Sequence, residues 1–371
     1  MYLSSGTLVP YLVSRGALSA ADLVDDEVSV FDAGRRNRNF KVSRRDGTGL
    51  FVKQVPMLVP ETTQSLQREA ALYSVVEGNP GFAGLAALLP RLRHYDRERH
   101  LLAVDLVPAS QSLTFFAMQL TEKPEALEAL AAELGALLSV AHRQSPEALA
   151  ELGKLGVFPG KPHWILSFHD SGDAIMPGMS QGARGVMTAV RQMPGLAASI
   201  TALRAEWVPS CLIHGDLKTE NFLVSQPDGP SGAANIQLID WELADLGDPA
   251  WDAGCVLASF VQPLVIGIYS NPAQTTPSPA GPTDVLRAQR CCQAFWKAYA
   301  APFAATSQQL ALAGERCVRF AALRLVLTAY EMSQASPEMP SAALVALQAA
   351  ASIFADPRAA ARQLFTLDTG A

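Results

Sequence analysis

Short apolar runs separated by turn residues fill the first third of the chain, and apolar residues at helical spacing dominate the remainder. Residues 28–31, 39–42 and 50–55 have strand length and composition. Arg45-Asp46-Gly47-Thr48-Gly49, between the second and third of these runs, reads as a hairpin turn, where glycine supplies the positive φ that tight reversals need. Residues 61–76 carry a helical pattern, and residues 91–95 and 101–106 supply two more strands around the charged turn 96–100. Residues 1–25 predict a short helical preface, with Ser19 and Asp22 fitting a capping-box variant ahead of Asp25-Asp26-Glu27.

After Asp105 the periodicity changes. Residues 124–142 place Leu127, Leu130, Leu134, Leu137 and Leu138 on one helical face. An irregular stretch, 153–182, is rich in Gly, His and aromatic residues. Two apolar strands then end in polar clusters and are joined by the Pro/Gly/Ser loop 225–233. A Pro-rich loop, 271–283, precedes a long helical tail, 284–367. The longest apolar run, 253–269, is interrupted by Gln262 and Pro263, so it reads as buried helix and not as a membrane span.

Composition narrows the class. The chain has 371 residues, 49% hydrophobic and 17% charged, enough for a large core and unlike a disordered chain. A formal net charge of −6 argues against nucleic acid as a partner. Five cysteines without a CxxC pair indicate neither a disulfide framework nor a zinc site. The N-terminus lacks the basic start and long apolar core of a signal peptide, so the expected location is cytoplasmic.

The chemistry concentrates in one segment. CLIHGDLKTEN, 211–221, is followed nineteen residues after Asn221 by Asp240 in IQLIDWE. An Asp, a Lys, an Asn and a second Asp at strand ends form the set that phosphoryl transfer needs. One carboxylate holds the acceptor hydroxyl, a cation spreads the charge of the moving phosphoryl group, and an Asn with a second carboxylate holds magnesium. Either half alone is common in α/β proteins; the joint spacing is not.

His214-Gly215-Asp216, Asn221, Asp240-Trp241-Glu242 and Gly247-Asp248-Pro249 with Asp252 resemble the aminoglycoside phosphotransferase and choline kinase group, over most of the chain. The resemblance implies an α+β, two-lobed protein-kinase-like fold: a small antiparallel β lobe with one helix, 1–106, and a larger, mainly helical lobe, 107–371. It implies an ATP- and Mg2+-dependent kinase in which Asp216 is the base or orienting carboxylate and Lys218 meets the γ-phosphate. Asn221 and Asp240 would be the metal ligands, with His214 and Asp252 supporting the loop and Glu242 and Asp245 as weaker candidates. In the small lobe it implies that Lys53 grips the α and β phosphates, held by Glu69. The phosphate-covering loop would run from Asp32 to Asn39, with Gly34 and Asn39 at the nucleotide and no GxGxxG pattern, and the hinge to adenine through Asp105 and Val107. ATP and GTP are not distinguished.

The acceptor is less legible. Beyond Gly254 there are six acidic and eight basic residues, which is not the acidic cleft that a polycationic aminoglycoside would favour. Arg287 with Arg290, and Arg316 with Arg319, stand three apart on helices. Two readings stay open: a solvated surface, or a basic face for an acidic acceptor or peptide. The basic run Arg35 to Lys53 has the same two readings, triphosphate contacts or a solvated sheet edge. His163 and His169, in the irregular stretch, read as satisfied surface histidines, with a place facing the acceptor as the alternative. RRNRNFKV, 35–42, with the helical preface, is similar to kinase-like proteins encoded beside lyases in lanthipeptide and thioamide-peptide pathways. That similarity implies Ser/Thr of a precursor peptide as acceptor and a lyase as partner. The alternatives are a hydroxyl-bearing small molecule of the aminoglycoside or choline type, or a pseudokinase scaffold, against which the intact Lys53, Glu69, Asp216, Asn221 and Asp240 speak.

Overall fold

The computed structural model describes residues 2–19, 21, 23, 28–34, 38–55, 59–170, 179–225, 235–267, 276 and 278–367. Two compact units are present. The first comprises 1–116, 144–159 and 220–245; the second 117–143, 160–219 and 246–371.

The first unit is built on a five-stranded antiparallel sheet of order β1-β2-β3-β5-β4. Its strands are β1 (Ser29–Asp32), β2 (Arg38–Ser43), β3 (Gly49–Gln54), β4 (Leu92–Asp96) and β5 (Leu101–Asp105). The 45–49 turn closes β2 onto β3 as expected: Arg44 N–H donates to Thr48 O (2.8 Å) and Gly47 takes φ 81°. Register sorts the side chains into two faces, because successive strand residues point oppositely. Phe40, Val52 and Ala103 form one cross-strand row; Asn39, Lys53 and Leu102 form the next, facing the other way.

The apolar face is covered by the preface helix α1 (Ser5–Ser14), whose Leu8, Tyr11 and Leu12 join Leu3, Leu18, Phe40, Val42, Leu50, Val52 and Leu101 in one core cluster. The preface is tied down by polar bonds as well. Leu3 N–H donates to Gln54 Oε1 (2.9 Å), Arg38 Nη2 to Leu3 O (2.9 Å), and Tyr11 OH to Asp96 Oδ2 (2.7 Å). The proposed cap at Ser19 and Asp22 lies partly outside the described residues. Helix α2 (Pro60–Val76) follows β3, as its pattern predicts.

A second sheet in this unit pairs β6 (Ser110–Ser112), β8 (Phe222–Ser225) and β9 (Asn235–Leu238). That pairing accounts for the interleaving of the two units in sequence. Cross-strand pairing of 223–225 with 110–112, and of 235–238 with 222–225, carries the segment from Asn221 to Asp240 into the same unit as the first sheet.

The second unit is mainly helical. It contains α4 (Pro124–Ala141), α6 (Gln181–Gln192), α7 (Leu196–Ala205), α8 (Pro249–Ile266), α9 (Pro282–Ala300), α10 (Ser307–Ser333), α11 (Ser341–Ala355) and α12 (Pro357–Gln363), while α3 (Leu113–Gln119) and α5 (Pro146–Lys154) lie wholly or partly in the first. The tail 284–367 is thus four helices. At Gly135 a Cβ would lie 2.2 Å from the backbone oxygen of Phe295, so glycine lets α4 and α9 approach backbone to backbone. Among the described residues, Pro249–Ile266 is the one helix long and apolar enough to cross a membrane by length and composition; here Ala250–Ala258 and Val261 are buried in the unit's own core.

Candidate active site

In the first unit, the second face of the sheet lines a cleft of about 550 Å³. Phe51, Leu102 and Val104 line it from the sheet, and Leu223 and Ile239 from the β8–β9 ribbon and its end. Alternation explains this set: Phe51 and Val104 share a cross-strand row pointing away from the α1 core. Asn39, Lys53, Glu69, Asp105, Val107 and Asp240 line the same cleft, so six of the residues singled out in the sequence meet there. Gly34 is not in its lining; its N–H is turned back onto Asp32 Oδ1 (2.9 Å), and 35–37 lie outside the described residues.

Lys53 is the hub. Its Nζ donates to both Glu69 oxygens (3.0 and 2.9 Å) and to Asp240 Oδ1 at 2.5 Å. Lys53 and Glu69 are almost fully buried, whereas the Asp240 side chain is one-third exposed. Burial by itself lowers the pKa of Lys53, but the charges of Glu69 and Asp240 outweigh it and hold the ammonium well above its ordinary value. Burial raises Glu69 to about 7, against the pull of Lys53. Tyr73, one turn after Glu69 on α2, lines the cleft too, and burial keeps its hydroxyl protonated. The sequence reading missed Tyr73; the i, i+4 spacing from Glu69 was the available signal.

The basic run 35–53 divides by face. Lys41 and Lys53 line the cleft, Arg38 reaches the preface carbonyl of Leu3, and Arg44 bonds Thr48 within the turn. Asn39 is the cross-strand partner of Lys53, and its Oδ1 is buried without a hydrogen-bond partner. The amide thus offers a hydrogen-bonding group into the cleft.

In the segment expected to be the hinge, the Asp105 carboxylate is held by Arg93 (2.5 and 3.0 Å), and Asp105 N–H and Leu106 N–H donate to Arg91 O and Gly49 O (both 2.9 Å). Val107 O accepts from Ser110 Oγ (2.9 Å), leaving the Val107 N–H as the hinge amide without a protein acceptor among the described residues.

Asn221 and Asp240 stand at the same end of the β8–β9 ribbon, where Ile239 N–H donates to Asn221 O (3.0 Å). Asp240 adopts φ 68°, a left-handed conformation that Asp tolerates better than most residues. An amide oxygen and a carboxylate are hard donors that suit magnesium. Glu242, in the 3-10 turn Trp241–Leu243 next in the chain, adds to the upward push on Glu69; neither it nor Asp245 lines the cleft.

In the second unit, β7 (Cys211–Ile213) leads into the loop His214–Lys218. Gly215 takes φ 81°, which a side chain at that position would resist. Its peptide is clamped from both sides: Gly215 N–H donates to Asp252 Oδ1 (3.1 Å), and Gly215 O accepts from Trp251 Nε1 (2.9 Å). Asp252 Oδ2 also accepts from His214 N–H (2.6 Å), and His214 Nδ1 accepts from Asp216 N–H (3.3 Å). His214 and Asp252 are buried, one turn of α8 thereby orienting the loop. Asp216, 17% exposed, is paired with Lys218 Nζ at 2.6 Å.

Neither singled-out histidine is a surface residue. His163 is half-buried and stacks on Trp251 with ring centroids 4.4 Å apart; burial lowers its pKa to about 4 although the Asp216 charge pulls the other way. His169 is buried and bonds Thr201 Oγ1 (2.8 Å). Both residues sit in a 160–170 segment packed on helices, a tertiary contact that polarity alone could not reveal.

The arginines do not form an open basic face. Arg287 pairs with Asp284 (2.9 Å), Arg290 with Glu128 (3.3 Å), Arg319 with Glu206 (2.6 Å), and Arg316 with Asp248 and Glu206. The acids come mostly from distant segments, so helix spacing showed the cations and hid their partners. Arg324, also missed, is buried against Glu331 (3.0 Å) in the electrostatic field of Asp216.

The model of the phosphotransferase enzyme family matches residues 27–271 of the chain. Among solved structures, a candidate aminoglycoside phosphotransferase from Ralstonia eutropha JMP134 is 14% identical, with TM-score 0.52 and coverage of 98% of this chain and 99% of that one. A choline kinase from Streptococcus pneumoniae (14% identity, TM-score 0.48) covers 94% and 99%, and a choline/ethanolamine kinase family protein from Mesorhizobium loti (15%, 0.48) covers 94% and 98%. No curated sequence matches. The fold is of the protein-kinase-like α+β type.

Proposed function

The chain belongs to the phosphotransferase enzyme family and is a kinase with an alcohol group as acceptor; we propose that it moves the γ-phosphate of Mg·ATP onto that hydroxyl. The observation that carries this reading is Lys53, held by Glu69 at 2.9 Å and reaching Asp240 at 2.5 Å, on the wall of a 550 Å³ cleft. In it, Lys53 grips phosphate oxygens, Asn39 faces them, and Asp105 O and Val107 N–H meet the adenine edge. Asn221 and Asp240 hold magnesium, which neutralises charge on the phosphates. The acceptor oxygen attacks the γ-phosphorus, the bond to the β-phosphate oxygen breaks, and the acceptor proton passes to Asp216, with Lys218 beside it as a compact cation.

For the acceptor we favour a hydroxyl-bearing small molecule. A precursor peptide with a partner lyase, implied by the similarity of 35–42, finds no basic face in Arg287, Arg290, Arg316 and Arg319, which are neutralised by the protein's own acids.

Calorimetry with Mg·ATP and transfer measured by mass spectrometry, over a panel of small alcohols and Ser/Thr peptides, test the reading. Asp240→Asn should lose both nucleotide affinity and turnover. Asp216→Asn should keep affinity while turnover falls about 10²- to 10⁴-fold. Wild-type turnover in Asp216→Asn would remove that residue from the chemistry. A peptide modified in preference to every alcohol would restore the peptide reading.

A further inference from the structure

The second unit contains a cavity of about 510 Å³ that none of the roles above uses. Trp296, Tyr299 and Phe303 of the α9 end, Leu310 and Ala313 of α10, and Val208 line it. The three rings form one wall, with Trp296–Tyr299 centroids 6.0 Å apart and Tyr299–Phe303 5.5 Å apart. Its volume is in the range of small-molecule pockets, roughly 300–1,000 Å³.

Its charged lining is already satisfied. Asp248 accepts from Ala250 N–H (3.0 Å), Val208 N–H (3.3 Å) and Arg316 Nε (3.1 Å), and Arg316 is bound further to Glu206. A charged ligand would have to displace these bonds, whereas an apolar one buries hydrocarbon against the rings at no such cost.

The floor of the cavity leads to the catalytic loop. Tyr299 OH lies 3.0 Å from His142 Nδ1, and His142 Nε2 lies 3.4 Å from Asp252 Oδ2. That carboxylate is the acceptor for the amides of His214 and Gly215. A carboxylate only accepts, so Nε2 carries a proton. In the tautomer that leaves Nδ1 bare, Nδ1 accepts from the Tyr299 hydroxyl, which burial keeps protonated. A ligand pressing on the Tyr299 ring therefore acts on a chain that ends at the backbone beside Asp216.

We propose that this cavity is a regulatory site for an uncharged, largely hydrocarbon small molecule, coupled through Tyr299, His142 and Asp252 to the loop that carries Asp216. This proposal rests on geometry within one unit and stands or falls apart from the choice of acceptor.

The test uses the full chain and the neutral fluorescent probe N-phenyl-1-naphthylamine. Wild type should bind it saturably, and amide hydrogen exchange of residues 213–217 should slow on binding. Ala313→Trp, which fills the cavity from an exposed position, and Leu310→Glu, which charges its wall, should each weaken binding by about tenfold or more. Their thermal midpoints serve as the folding control, and one folded variant suffices. Tyr299→Phe should keep the probe affinity and lose the change in exchange. Non-saturable binding, or unchanged affinity in the folded cavity variants, would overturn the site. Binding that leaves 213–217 unaffected in wild type would overturn the coupling.

Discussion

Lys53 Nζ lies 2.9 Å from Glu69 Oε2, in a pair whose side chains are 9% and 3% exposed. Two charges so removed from water are stable only together, because each would otherwise keep an uncompensated desolvation penalty. Lys53→Met should therefore destabilise the protein by about 3–5 kcal/mol. Lys53→Met/Glu69→Leu should recover much of that loss in urea unfolding while phosphate transfer stays abolished. Equal stability of the single and double variants would show that the pair is solvated and structurally unimportant.

The Asp252 carboxylate should matter for the loop and not for the nucleotide. It accepts two loop amides, at 2.6 and 3.1 Å, from a position 1% exposed. Asp252→Asn removes the charge and one acceptor, at an expected cost of about 1.5–3 kcal/mol in unfolding free energy. Turnover should fall, since Gly215 is next to Asp216. Mg·ATP affinity should hold, and a calorimetric loss of affinity would contradict the assignment.

His163 should make stability depend on pH. Its folded-state pKa, about 4, lies below the ordinary 6.5. Below 6.5 the unfolded chain takes up a proton that the folded one refuses, so this contribution is present above pH 6.5 and lost as pH falls through 4. His163→Phe keeps the stack on Trp251 and has nothing to titrate. Its thermal midpoint should decline less than wild type between pH 6.5 and 4; parallel profiles would rule the histidine out.

The arginine pairs should differ sharply in worth. Arg316 serves Asp248, whose side chain is 3% exposed, so Arg316→Ala should cost about 3–5 kcal/mol. Arg290 is half-exposed, and its pair with Glu128 should be worth about 1 kcal/mol or less. Chemical denaturation of both alanine variants checks the contrast, which should shrink if Arg316 is less shielded than the structure shows.

The extent of the sheet, the 45–49 turn and helix α2 were legible because each depends on periodicity and turn chemistry over a few residues. The pairing of Lys53 with Glu69 was legible through spacing and resemblance, although spacing alone did not place Asp240 on the Lys53 ammonium. What could not be read was every contact whose partner enters from far along the chain. Arg319 meets Glu206 across 113 residues and Arg290 meets Glu128 across 162. His163 finds Trp251 only because helix packing stacks them. Cleft and cavity likewise arise from facing elements that share no local pattern. Sequence by itself determined which residues carry charge, which face of each strand is apolar, and the order of His214, Asp216, Asn221 and Asp240 along the chain. Tertiary structure alone decided which charges are neutralised, which histidine loses its proton, and which alanines border a cavity, since burial and Coulomb energy depend on distances in space that local spacing does not encode.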